Sequence, residues 1–101
     1  MTRPRILAMV VCFAAPVAAH GADDVAARSL AATCSSCHGT QGNSVAPEIP
    51  PLAGMPRDRI VSEMRAFKDG KRPATVMHEL ARGYTARQID LVAAYFAGQK
   101  K

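Results

Sequence analysis

Apolar residues recur along this chain with the period of a helix, and no stretch shows the alternation of a strand. Ile60, Met64 and Phe67 fall at i, i+4 and i+7 with Val61 beside them, which makes one stripe on a helix running from Pro56 to about Asp69. Pro56 suits its first turn and Gly70 its end, while Arg57, Asp58, Arg59, Glu63, Arg65 and Lys68 cover much of the remaining surface. Ile89, Val92 and Phe96, with Leu91 and Tyr95 adjacent, form a second stripe. Thr85-x-x-Gln88 ahead of it is a capping box, and Gly98 closes it. Asp23 and Asp24 precede alanine-rich sequence and predict a first helix whose narrow packing face is Val25, Ala26, Ser29 and Leu30. Glu79 to Arg82 reads as a single helical turn closed by Gly83. The expected fold is all-α.

Two segments break the pattern. Residues 39–55 hold Gly39, Gly42, Gly54, Pro47, Pro50 and Pro51, and read as loop throughout. A loop of this length in a compact domain usually carries function. A shorter loop covers Lys71 to His78.

The N-terminus differs in kind. Arg3 and Arg5 lead an apolar run from Ile6 to Val17, and Val17-Ala18-Ala19 offers small residues for cleavage, so residues 1–19 read as a secretory signal. The run is shorter than the roughly 20 residues a membrane span needs. An uncleaved anchor is the alternative. Cleavage after Ala19 removes Cys12 and leaves Cys34 and Cys37 as the cysteines of a mature domain, residues 20–101, expected in the periplasm with no stable membrane span.

Composition then limits the function. Without Arg3 and Arg5 the formal charge falls from +5 to +3, and no aromatic–basic interleaving accompanies it, which argues against nucleic acid. The mature part has Phe67, Tyr84, Tyr95 and Phe96 as its aromatics and no Trp. A domain this small rarely stabilises itself with side chains alone. A large apolar cofactor would complete the core.

Cys34-Ser35-Ser36-Cys37-His38 names that cofactor. Two cysteines three apart with a histidine directly after the second is the pattern for covalent attachment of one haem c. On a helical turn, residues three and four apart share a face, so both thiols reach the vinyl groups of one porphyrin while His38 turns onto its iron. A zinc site needs about four ligands, and no second Cys/His pair follows. A thioredoxin-like redox pair wants a strand and a βαβ context, and the lead-in here is helical in character.

An iron-bound imidazole normally donates its other N–H to an oxygen, and a proline carbonyl of the 39–55 loop is a candidate, with Leu52 against the ring. The prolines also serve as simple loop stiffeners. For the opposite iron face, Met64 shares phase with Ile60 and Phe67 and reads as core, while Met55 lies close to a helix start. Met77, in the later loop, is preferred, with His78 its chief rival. Filled coordination by His38 and Met77 favours electron transfer over oxygen chemistry. Thioether ligation also raises the potential relative to a second imidazole.

Cys34 to Gly39, Gly42-Asn43-Ser44, Pro50-x-Leu52 and Gly83-Tyr84-Thr85 with Ala93-Ala94-Tyr95-Phe96 together resemble a class I cytochrome c. The resemblance implies a small helical fold around the haem, His38 and Met77 as axial metal ligands, the Pro50 carbonyl as partner of His38, and Leu52 against the haem. More narrowly, Leu52-Ala53-Gly54-Met55, Ala66 to Gly70, Ala74 to Met77 and Leu80 to Thr85 are similar to the haem subunit of flavocytochrome c sulfide dehydrogenase. Related two-haem cytochromes share much of the same pattern. The implied partner is a sulfide-oxidising flavoprotein, since this chain has no dinucleotide-binding glycine motif of its own. A free electron shuttle to a terminal oxidase or other redox protein is the alternative. A peroxidase-like haem enzyme is another if Met77 does not stay on the iron. Lys68, Lys71 and Arg72 form a basic cluster ahead of Met77, either a docking patch or a solvated face.

Overall fold

The computed structural model describes residues 1, 10–14 and 20–101. The expected secretory signal lies largely outside the described residues; residues 10–14 carry no regular secondary structure, and Val10, Val11 and Phe13 are exposed. Four helices follow, α1 His20–His38, α2 Arg57–Lys68, α3 Met77–Arg82 and α4 Ala86–Ala97, with a three-residue 3-10 turn at Thr40–Gly42. No strand occurs among the described residues, so the domain is all-α. No helix among them is long and apolar enough to cross a membrane.

The core forms where the helical stripes converge. Ile60, Val61 and Met64 of α2 meet Ala81 of α3, Ala31 of α1, and Ile89, Val92, Ala93 and Phe96 of α4. Phe96 and Ile89 are its largest fully buried side chains. α1 packs on α4, and α2 packs on both α3 and α4. Outside the core, Arg87 pairs with Asp23 and Arg57 with Asp90, tying α4 to α1 and α2. Ion pairs this exposed are worth about 0–1 kcal/mol each.

Helix ends follow local chemistry, with two shifts from expectation. The α4 capping box is complete: Gln88 N donates to Thr85 Oγ1 at 3.1 Å and Thr85 N to Gln88 Oε1 at 2.9 Å. α2 ends in paired reverse hydrogen bonds, Lys71 N to Ala66 O at 2.9 Å and Gly70 N to Phe67 O at 3.2 Å. Pro56 stands at the N-cap of α2 and not inside its first turn. α1 begins before Asp23, which therefore lies in the first turn, where a carboxylate favours the positive end of the helix dipole.

The packing face of α1 is also rotated from expectation. Leu30 packs against the core as expected, but Val25 is 65% exposed and Ser29 is exposed, while Ala27 and Ala31 are buried. Counted back from His38, the line runs through half-buried Cys34 to buried Ala31 and Ala27, so His38 and Cys34 share one stripe with the core residues while Cys37 lies outside it. Small residues let α1 approach α4 closely, and bulk at Val25 has no place there.

The segment 39–55 folds inward onto α4. Gly42 O accepts from Leu52 N at 2.8 Å and Ala53 N at 3.1 Å, and Gly54 N donates to Phe96 O at 2.9 Å. Gly42 has φ +81°, and a Cβ there would stand 2.8 Å from both Phe96 Cδ1 and Ala53 N. Gly39, at φ +84°, would place a Cβ 2.2 Å from Asn43 O. Only glycine fits these two turns, which bring the loop from the end of α1 back under it.

Candidate functional site

His38 closes α1 and is 8% exposed, the one buried polar residue among those described. Its Nδ1 lies 2.7 Å from the carbonyl oxygen of Pro50. A carbonyl only accepts, so the contact holds a proton on Nδ1 and leaves the Nε2 lone pair free for a metal. Pro50 precedes Pro51, which restricts its backbone to the extended region and fixes the carbonyl's direction.

Cys34 and Cys37 are free thiols on the last turn of α1, Cys34 half-buried against the core and Cys37 exposed. Burial pushes the Cys34 thiol above its ordinary range, and the hydroxyls of Thr33 and Tyr84 pull it partly back. Leu52 and Met77 are partly buried and pack against the same core as Cys34. The fold thus gathers Cys34, Leu52 and Met77 on one core and sets His38 against Pro50, while Cys37 stays at the surface.

Met77 is the first residue of α3 and not part of the loop before it. The helix start carries no side-chain cap; Val76 O instead accepts from Glu79 N at 3.0 Å and Leu80 N at 3.1 Å. Beside it, His78 Nε2 lies 3.4 Å from Glu79 Oε1, and His78 Nδ1 is enclosed without a hydrogen-bond partner. Met64 is buried in the core, as its phase with Ile60 requires.

The donor set fits a c-type haem. One helical turn presents two unpaired thiols and an imidazole whose outer nitrogen is already engaged, and Met77, on a separate helix, packs against the same core as Cys34. Among the described residues no group of three or more His, Cys, Asp and Glu gathers as a zinc site would require.

The basic cluster is largely used within the fold. Lys68 Nζ donates to Tyr84 O, and Arg72 pairs with Glu63 and lies 4.8 Å over the Phe67 ring. Lys71 is exposed. One contact had no signal in the sequence: Thr33 Oγ1 and the Tyr84 hydroxyl, 51 positions apart, stand 2.7 Å from one another. No spacing rule couples residues so distant.

The model of the family described as Cytochrome c matches residues 24–99. Cytochrome c4 of Pseudomonas aeruginosa is 43% identical over 83 residues, covering 81% of this chain and 41% of that protein. The cytochrome subunit of sulfide dehydrogenase of Chlorobaculum tepidum is 42% identical over 72 residues, covering 71% of this chain and 64% of the subunit. Cytochrome c-554(548) of Halomonas halodenitrificans is 35% identical over 81 residues, covering 77% of this chain and 98% of that protein. The chain therefore spans less than two thirds of the length of the first two. With its motif, its helices and these likenesses in agreement, the chain belongs to the cytochrome c family, an electron-carrier domain with one covalently bound haem c.

Proposed function

We propose that this domain relays single electrons in the periplasm, exported by residues 1–19, with its haem attached through Cys34 and Cys37 and the iron held between His38 and Met77. The observation that carries the reading is the 2.7 Å contact of His38 Nδ1 with Pro50 O. The haem supplies a one-electron iron couple. The protein's part is to hold its ligands still. Pro50 fixes the tautomer and ring orientation of His38. Met77 offers a neutral sulfur that favours the reduced state. One ligand ends α1 and the other begins α3, so neither rides on a free loop, and little reorganisation accompanies a change of charge. Leu52 adds apolar cover on the shared core.

The donor we propose is a sulfide-oxidising flavoprotein. Support comes from the 42% identity to the Chlorobaculum subunit and from the runs Ala66 to Gly70 and Leu80 to Thr85. A free carrier is the second reading, favoured by the Halomonas cytochrome, 98% of whose length is covered. The test is purification from the native host at low salt, followed by sulfide addition with and without the accompanying flavin-containing fraction. A reduction rate set by the flavoprotein concentration supports the subunit reading. Reduction indifferent to every flavoprotein fraction rejects it in favour of the free carrier. A ferric protein without a far-red iron–thioether band would reject Met77 as ligand.

A further inference from the structure

The two helices that bear the proposed iron ligands rest on different neighbours. α1, ending in Cys34, Cys37 and His38, packs on α4, whereas α3, beginning at Met77, packs on α2. Tyr84, just past the Gly83 cap of α3, joins them. Its hydroxyl is 2.7 Å from Oγ1 of Thr33, the residue before Cys34. Thr33 has one hydroxyl proton and gives it to Leu30 O at 2.8 Å, so Tyr84 is the donor and Thr33 the acceptor.

Tyr84 is itself held at its other groups. Its carbonyl accepts from Lys68 Nζ at the end of α2, and its N–H donates to Ala81 O at 3.2 Å within α3. The side chain is half-buried against the core. A residue fixed to α2 and α3 by its backbone and reaching α1 by its side chain transmits the position of one ligand helix to the other.

We propose that Tyr84 is a positioning residue for the methionine ligand: by donating to Thr33 it holds α3, and with it Met77, toward the end of α1 that carries the haem attachment. The proposal rests on the reading of His38 and Met77 as the iron's ligands. Without the bond, α3 swings from α1 while remaining on α2, and Met77 leaves the iron more often with the fold intact. Loss of one such hydrogen bond raises the Met77-off population about five-fold.

The experiment uses the haem-loaded ferric protein and four variants: Tyr84→Phe, Thr33→Val, Thr33→Ser and the double Tyr84→Phe/Thr33→Val. Imidazole is titrated against the far-red iron–thioether band, and unfolding by guanidinium is followed separately by far-ultraviolet circular dichroism. Tyr84→Phe and Thr33→Val are each expected to tighten apparent imidazole binding about five-fold, and the double variant by no more than either, because all three remove the same bond between Tyr84 and Thr33. The bond from Thr33 to Leu30 that Thr33→Val also removes lies within α1 and does not reach α3. Thr33→Ser, which keeps the acceptor, is expected to match the wild type. The unfolding midpoint should move too little to explain the gain. Unmoved affinities with the wild-type band intact overturn the tie alone, as do additive effects in the double variant or affinities that simply track the unfolding midpoint. A wild-type protein lacking the band overturns Met77 ligation and the tie together.

Discussion

Pro50 offers its carbonyl to His38 Nδ1 across 12 positions of sequence, at 2.7 Å. The loop between them is drawn back by Gly42, whose carbonyl takes the N–H groups of Leu52 and Ala53. Backbone and not side chain thus orients the imidazole, and substitution of Pro50 should separate orientation from stiffness. Pro50→Ala keeps the carbonyl, and Pro51 still holds the new residue in the extended region. The expected result is a loss of about 0.4–1 kcal/mol through the freer unfolded chain, with the ferric spectrum unchanged. Thermal unfolding, with spectra taken on the same samples, measures both.

Gly42 should be far less tolerant. Gly42→Ala meets a left-handed φ and contacts of 2.8 Å to Phe96 Cδ1 and Ala53 N. The conformational cost of about 1–2 kcal/mol and the overpacking cost of about 1–3 kcal/mol act together, so urea unfolding of the haem-loaded variant should show a loss of about 2–5 kcal/mol. A variant as stable as the parent would remove Gly42 as the hinge of the loop.

How far these features can be read from sequence depends on how local their causes are. α4 was fully legible: Thr85, Gln88 and the 89/92/96 stripe act within a few residues of one another. The face of α1 is only partly legible: alanine-rich sequence offers several candidate faces, and the phase that decides between them is set by His38, from which counting back reaches Ala31 and Ala27. The start of α3 at Met77 gave no signal, since Val76 caps it through backbone alone. Pro50 as the partner of His38 came from family resemblance and not from spacing. The pairing of Thr33 with Tyr84 depends on how helices from opposite ends of the domain come together, which no local pattern encodes.

The basic cluster divides under charge reversal. Arg72 pairs with Glu63 and covers the Phe67 ring, so Arg72→Glu should cost about 0.5–2 kcal/mol from the lost cation–π contact and ion pair. Lys71→Glu, at an exposed position, should leave stability within about 0.5 kcal/mol. If Lys71 steers a redox partner, its reversal slows electron transfer at low ionic strength and not at high. Stopped-flow rates across a salt series, beside unfolding curves for both variants, separate steering from folding.

Met77 and His78 are adjacent, yet their surroundings differ enough to predict which binds iron. Met77 packs against the core shared with Cys34 and Leu52, whereas His78 Nε2 faces Glu79 Oε1 at 3.4 Å. His78→Ala should therefore leave the far-red band intact. Met77→Ala should abolish it and lower the midpoint potential, since the neutral sulfur that favours the reduced state is gone. It should also open the iron to cyanide at a rate no longer limited by displacement of a ligand. The double variant decides whether His78 takes over. Should Met77→Ala bind cyanide slowly and Met77→Ala/His78→Ala bind it fast, His78 has moved onto the iron. Equal fast binding in both keeps His78 off it, and that is the outcome the helical start at Met77 predicts, because one turn of α3 would have to unwind for the next side chain to take the same place.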